Sequence, residues 1–188
     1  MDFSPVKREI LEALLLHNQT PAKAAQIAKE TGKPQNTVQI HLIGLVRMGY
    51  ASSPQKGAYI ISENGKKALG LPEISREKAS AILATTPIDK AFHFYLDVGK
   101  PLHVHARDLL EFCDRVNHVK VESLQFHVCR GDFEAWLKSL GDEELAKKVA
   151  LLKNRNLTGE ELREEMRKTV ECRCTALSKM MGQAAHPP

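Results

Sequence analysis

The hydrophobic period of this sequence changes at Gly49, and that change limits what the first 70 residues can fold into. Upstream, Val38, Leu42, Leu45 and Met48 recur at spacings of four, three and three, which puts them on the inward face of a helix over residues 35–48. Downstream the period is two. Residues 50–53 and 58–62 read as strands, and Pro54-Gln55-Lys56-Gly57 between them has the composition of a hairpin turn. Earlier, residues 5–17 carry Val6, Ile10, Ala13, Leu14, Leu16 and His17 at helical spacing, with Ser4 as cap and Pro5 in the first turn. Asn18-Gln19-Thr20-Pro21 breaks that pattern. A short Ala-rich helix over 22–31 stops at Gly32, and another helix or helical turn starts at Glu63. The predicted order is helix, helix, helix, hairpin, helix.

Gly70-Leu71-Pro72 marks a boundary, and residues 75–84 read as a connecting helix ended by Thr85-Thr86-Pro87. The expected organisation is a domain over 1–70, a connecting helix or linker over 71–87, and a second domain over 88–188. A chain of 188 residues, 43% apolar, can build two modest cores. No apolar run approaches the ~20 residues of a membrane span. The opening MDFSPVKREI lacks the apolar stretch and cleavage site of a signal peptide. Cys113, Cys129, Cys172 and Cys174 are therefore expected as free thiols in the cytoplasm.

The second domain opens with alternating strings, Phe92-His93-Phe94-Tyr95-Leu96 and Leu102-His103-Val104-His105. They read as a hairpin turning about Val98-Gly99, although a helix starting near Ile88 fits the first string nearly as well. In the hairpin His93 faces His105 and Tyr95 faces His103. His93, His103 and His105 would then share one face, and imidazoles suit zinc, nickel or copper. His127, Cys129 and Cys113 lie on helices that can pack nearby and would add to these three candidate ligands. The competing reading is plain surface histidines and buried thiols, and no metal or cofactor is assigned. Cys172-x-Cys174 on a helix points its thiols ~200° apart. Helices are expected over 106–116, 122–129, 132–140, 142–153 and 159–179. Asp132 and Asp142 are the expected N-caps, and Thr158-Gly159-Glu160-Glu161 is a capping-box pattern. Arg130-Gly131-Asp132-Phe133 reads as a tight turn between helices. The last helix places Leu162, Met166, Val170 and Leu177 on one side, a candidate dimer contact. The fold class is mainly α with a small β component: a winged helix followed by a mostly helical domain with a short hairpin.

Charge separates the two halves. Residues 1–70 hold nine Lys/Arg against five Asp/Glu, and residues 71–188 hold eighteen of each. The net +4 therefore lies in the first part, which points to an anionic partner. The third helix begins Lys33-Pro34-Gln35-Asn36-Thr37 and continues to Gln39. Amides there can make paired hydrogen bonds to adenine edges in a major groove, and Lys33 with Lys56 on the wing would neutralise phosphates. The candidate DNA-binding residues are Lys33, Gln35, Asn36, Thr37, Gln39 and Lys56.

The run TVQIHLIGLVRMGY followed by AYIISENGKKAL resembles winged helix-turn-helix transcription regulators of the multiple-antibiotic-resistance and arsenical-repressor kind. The carrying residues are Thr37-Val38, His41-Leu42, Leu45 and Gly49, then Ser62, Gly65, Ala68 and Leu69. The resemblance covers residues 5–70 and implies double-stranded DNA binding by a homodimer. The second half is similar to an uncharacterised prokaryotic domain, often archaeal. The resemblance covers about residues 88–153, carried by Phe92, Phe94, Gly99, Ala106, Asp108-Leu109, Glu111-Phe112, Ser123-Leu124, Phe126-His127 and Arg130-Gly131-Asp132-Phe133 with Trp136. That resemblance implies no activity. No Gly-rich phosphate loop, nucleophile elbow or paired metal-binding helix signature is present, so no enzyme is expected. The expectation is a cytoplasmic transcription regulator that answers to a small-molecule or protein effector. The rival is an adaptor whose winged helix docks a protein or an RNA.

Overall fold

The computed structural model describes residues 4–17 and 20–182. Asn18 and Gln19 of the expected break, and residues 183–188 of the tail, lie outside them. The chain divides into two compact units, residues 1–73 and 74–188. It is mainly helical, with two small sheets.

The first unit runs α1 (Pro5–Leu16), β1 (Ala22–Lys23), α2 (Ala24–Thr31), α3 (Gln35–Arg47), β2 (Ala51–Gln55), β3 (Ala58–Ile61) and α4 (Glu63–Ala68). β1 and β2 both pair antiparallel with β3, in the order β1-β3-β2. Three helices closed by such a sheet make a winged helix-turn-helix arrangement. Its punctuation works as the residue types dictate. Ser4 Oγ accepts from the Lys7 amide, Gly32 ends α2 in the left-handed conformation, and Ser62 Oγ accepts from the Gly65 amide at the start of α4. Ile10, Leu11, Leu14, Ile27, Val38, Leu42 and Leu45 are fully buried.

Three features depart from expectation. Ala22–Lys23 is a strand, not the first turn of α2, because it pairs with Ala58–Tyr59 on the edge of the wing. Met48 is exposed rather than inward, because α3 ends at Arg47. The hairpin turn shrinks to Lys56-Gly57 as β2 continues to Gln55. That continuation needs a bulge between Ser52 and Gln55. Ser53 Oγ stabilises it by donating to the Gln55 and Ala58 carbonyls, beside Pro54, which has no amide to pair.

The second unit runs α5 (Arg76–Leu83), a 3₁₀ turn, β4 (Phe92–Asp97), β5 (Lys100–Ala106), α6 (Leu109–His118), α7 (Val121–Arg130), α8 (Asp132–Ser139), α9 (Glu143–Lys153) and α10 (Gly159–Gly182). The helix expected to connect the domains belongs to this unit, since Ala79 and Ile82 of α5 are fully buried in a segment that clusters with it. Residues 92–106 form the hairpin rather than a helix. α6 starts at Leu109, later than expected, because β5 runs to Ala106 and the Asp108 carboxylate caps the Leu110 and Glu111 amides. Phe92, Phe94, Phe112, Phe133 and Trp136 form one aromatic cluster, with edge-to-face and tilted pairs at 4.9–6.2 Å.

The expected dimer face of α10 is used inside the unit. Leu162, Met166, Val170 and Leu177 are all buried, against α5, α6, α7 and α9. Arg163 on the same helix donates to the Val116 and Val119 carbonyls at the end of α6. Between α9 and α10 lies a buried ionic cluster. Arg173 donates through Nε and Nη2 to Asp142 and through Nη1 to Glu144, all at 2.8–3.1 Å. Lys148 Nζ meets the other Glu144 oxygen at 2.8 Å. Burial works against the Arg173 charge, but the two carboxylates more than offset it and hold its pKa above the ordinary value.

Candidate functional site

The outward face of α3 carries Asn36, Ile40, Ile43 and Arg47, at spacings of four, three and four, opposite buried Val38, Leu42 and Leu45. Gln35 and Asn36 are exposed on its first turn, Thr37 is half-buried, and Lys56 is exposed at the wing tip. The other two expected contacts are engaged elsewhere. Lys33 Nζ is 2.6 Å from a Glu9 oxygen on α1. Gln39 Nε2 donates to the Tyr59 hydroxyl at 2.6 Å, tying α3 to β3. Sequence reasoning missed both, because each partner lies far along the chain. It also missed Ile40 and Ile43, which are 69% and 40% exposed. Their spacing from Asn36 and Arg47 was the available signal.

In the second unit the hairpin register brings together only part of the histidine trio. His93 pairs with His105, with ring centroids 5.8 Å apart. Tyr95, however, pairs with Pro101, not His103. Three residues of β5 oppose one of β4, and His103 sits in that bulge at φ 55°. Among the described residues no group of three His, Cys, Asp or Glu side chains is placed to hold a metal ion. Cys172 is exposed and Cys174 buried, as opposite helix faces require. Burial pushes the Cys174 thiol up to about 12, so it is not a ready nucleophile.

A second constellation lies at the turn between α7 and α8. Asp132 does not cap α8; Gly131, left-handed at φ 78°, takes that position. The Asp132 carboxylate instead accepts from buried His127 Nδ1 at 2.8 Å and from Arg130 Nε at 3.1 Å, both through Oδ2. His127 Nε2 accepts from the Tyr95 amide at 2.9 Å. Those two bonds define a neutral imidazole that carries its proton on Nδ1. Burial lowers the His127 pKa against the pull of Asp132. Both ring nitrogens are occupied, so the histidine joins the hairpin to the helical turn and offers no free base. Beside it opens a cavity of about 350 Å³ lined by Phe92, Tyr95, Phe126, His127, Arg130 and Asp132, with the hairpin tip at its mouth.

A model for a family of unknown function, DUF5752, matches residues 74–171. This chain belongs to that family. The DUF5752 segment runs from just before α5 into α10 and includes the hairpin, the His127–Asp132 pair and the cavity. The winged helix lies outside it. No curated protein and no solved structure matches the chain.

Proposed function

We propose that this chain is a cytoplasmic regulator of transcription, a binding protein rather than an enzyme, that docks α3 into the major groove of double-stranded DNA. The observation that carries the reading is the outward stripe of α3, with Gln35 beside it. Asn36 and Gln35 can each pair with an adenine edge, Ile40 and Ile43 can cover thymine methyls, and Arg47 can meet a phosphate or a guanine. Lys56 on the wing adds a phosphate contact and fixes register without reading sequence. This chemistry favours A·T-rich half-sites. Lys33 and Gln39 leave the list of contacts and become residues that set the angle of α3. Dimerisation belongs to the same reading, through a surface other than the apolar side of α10, and sedimentation velocity of the full chain tests it.

A second reading is favoured by one observation. Two exposed isoleucines on one helix face also suit docking to a protein. Fluorescence anisotropy across a salt series, with the native upstream duplex beside a scrambled one, separates the two. A regulator binds the native duplex more tightly, with a steep salt slope. Gln35→Ala and Asn36→Ala each reduce that preference by about 1–3 kcal/mol. Weak binding, equal on both duplexes and lost at moderate salt, overturns DNA recognition and leaves the docking reading.

A further inference from the structure

We propose that the cavity between the β4–β5 hairpin and α7 binds an apolar α-amino acid in its zwitterionic form. The inference concerns the second unit alone and does not depend on DNA binding by the first. Its walls are aromatic: Phe92, Tyr95 and Phe126. Three charged side chains line it: Arg130 and Asp132, 3.1 Å apart, and Asp97 of the hairpin, whose charge is already met by Lys100 at 3.2 Å. The Arg130 guanidinium lies 5.1 Å from the centroid of the Phe126 ring, which holds its plane in place.

The pair is only half used. Arg130 commits Nε to Asp132, and its two Nη groups make no bond among the described residues. Asp132 receives both of its bonds on Oδ2, and Oδ1 accepts none among the described residues. A guanidinium with two free donors takes a carboxylate, and a carboxylate oxygen with free lone pairs takes an ammonium. Charge balance then selects the ligand class. A lone carboxylate or a lone ammonium finds the pair already neutralised and leaves an unmatched charge in a partly buried site. A zwitterion satisfies both halves and leaves none. His127 supplies no further donor, since both its nitrogens are engaged. A cavity of about 350 Å³ has room for an amino acid as large as phenylalanine.

The chain carries its own reporter. Trp136 is its single tryptophan, and its ring lies 5.6 Å from that of Phe92 in the cavity wall. The test titrates the full chain with L-phenylalanine and L-leucine, following Trp136 fluorescence and the heat of binding. 3-Phenylpropionate and 2-phenylethylamine, each lacking one charge, serve as comparison ligands. The expected result is saturable binding of at least one amino acid, with a dissociation constant of about 1 mM or tighter. Both single-charge analogues should bind at least about tenfold more weakly. Arg130→Gln and Asp132→Asn should each weaken amino-acid binding by a similar factor, with an unchanged far-ultraviolet circular dichroism spectrum. The side-chain amide introduced by Asp132→Asn keeps an acceptor oxygen for His127, so that substitution spares the fold. Absence of both heat and fluorescence change with either amino acid overturns the proposal. Equal binding of the single-charge analogues, or amino-acid binding indifferent to both substitutions, overturns it as well.

Discussion

The two units solve the burial problem differently. In the first, the core is apolar, and the single charged side chain buried among the described residues is Lys66, paired with Glu63 at its helix start. In the second, His127, Asp142, Glu144, Lys148 and Arg173 all lie inside. Area burial stabilises the first unit and is tolerant of detail. The second adds directional contacts, each of which fixes one element against another but leaves a costly orphan if its partner is lost. The first unit is therefore a rigid platform that presents a helix. The second is a housing whose geometry answers to charge.

The sharpest way to break this contrast is Arg173→Met. It leaves the Asp142 and Glu144 carboxylates buried without the guanidinium that bridges them, while Lys148 still meets Glu144. Denaturation followed by Trp136 fluorescence should show the second unit destabilised by about 3–5 kcal/mol. Hydrogen exchange of the first unit should be unchanged. An effect within experimental error would mean that the cluster is solvated and the contrast empty.

Gly65→Ala is the corresponding test in the first unit. A Cβ there would collide with the Tyr50 carbonyl oxygen and stand 2.8 Å from Ile61 Cγ1. Overpacking against backbone should cost about 2–3 kcal/mol. It should speed exchange in α4 and the wing while Trp136 melts as before.

A smaller effect comes from pH. His127 has its pKa lowered from 6.5 by burial. Below that value the unfolded chain binds more protons than the folded one, so stability rises with pH across this range. The contribution is fully present above 6.5 and is lost as the pH falls from 6.5 through the lower folded value. The Trp136 unfolding midpoint should therefore drop on acidification, and His127→Gln should flatten the drop. Both bonds of the ring face it from other elements: Asp132 on α8 and the Tyr95 amide on β4. Smallest of all, Tyr59→Phe removes the acceptor for Gln39 and should cost the first unit about 0.5–1.5 kcal/mol, read by exchange of α3 amides.

Much of the fold was legible because it rests on local pattern. Val38, Leu42 and Leu45 announce α3 by spacing. Ser62 and Asp142 cap helix starts with their side chains, Gly32 ends α2 with its left-handed backbone, and His93 does oppose His105. What was hidden rests on distant partners, on a choice between near ones, or on added residues. His127 is only five residues from Asp132, but a carboxylate there suits the cap of its own helix as well as the imidazole, and the local sequence does not choose between them. Nothing near Gln39 reveals the Tyr59 hydroxyl twenty residues away. The β5 bulge, which removes His103 from the expected face, leaves the alternation of the string intact. The candidate DNA contacts divide along the same line: exposed Gln35, Asn36 and Lys56 follow from position alone, whereas Lys33 is claimed by a helix that sequence cannot place.

The bond from the Tyr95 amide to His127 also has a colloidal consequence. A two-stranded hairpin leaves free backbone donors along its edges, and such edges recruit strands from other molecules. In β4 an imidazole consumes the Tyr95 donor, and in β5 Pro101 has none to give. A side chain thus stands where a third strand could add, and the chain keeps a short, exposed hairpin without inviting edge-to-edge assembly.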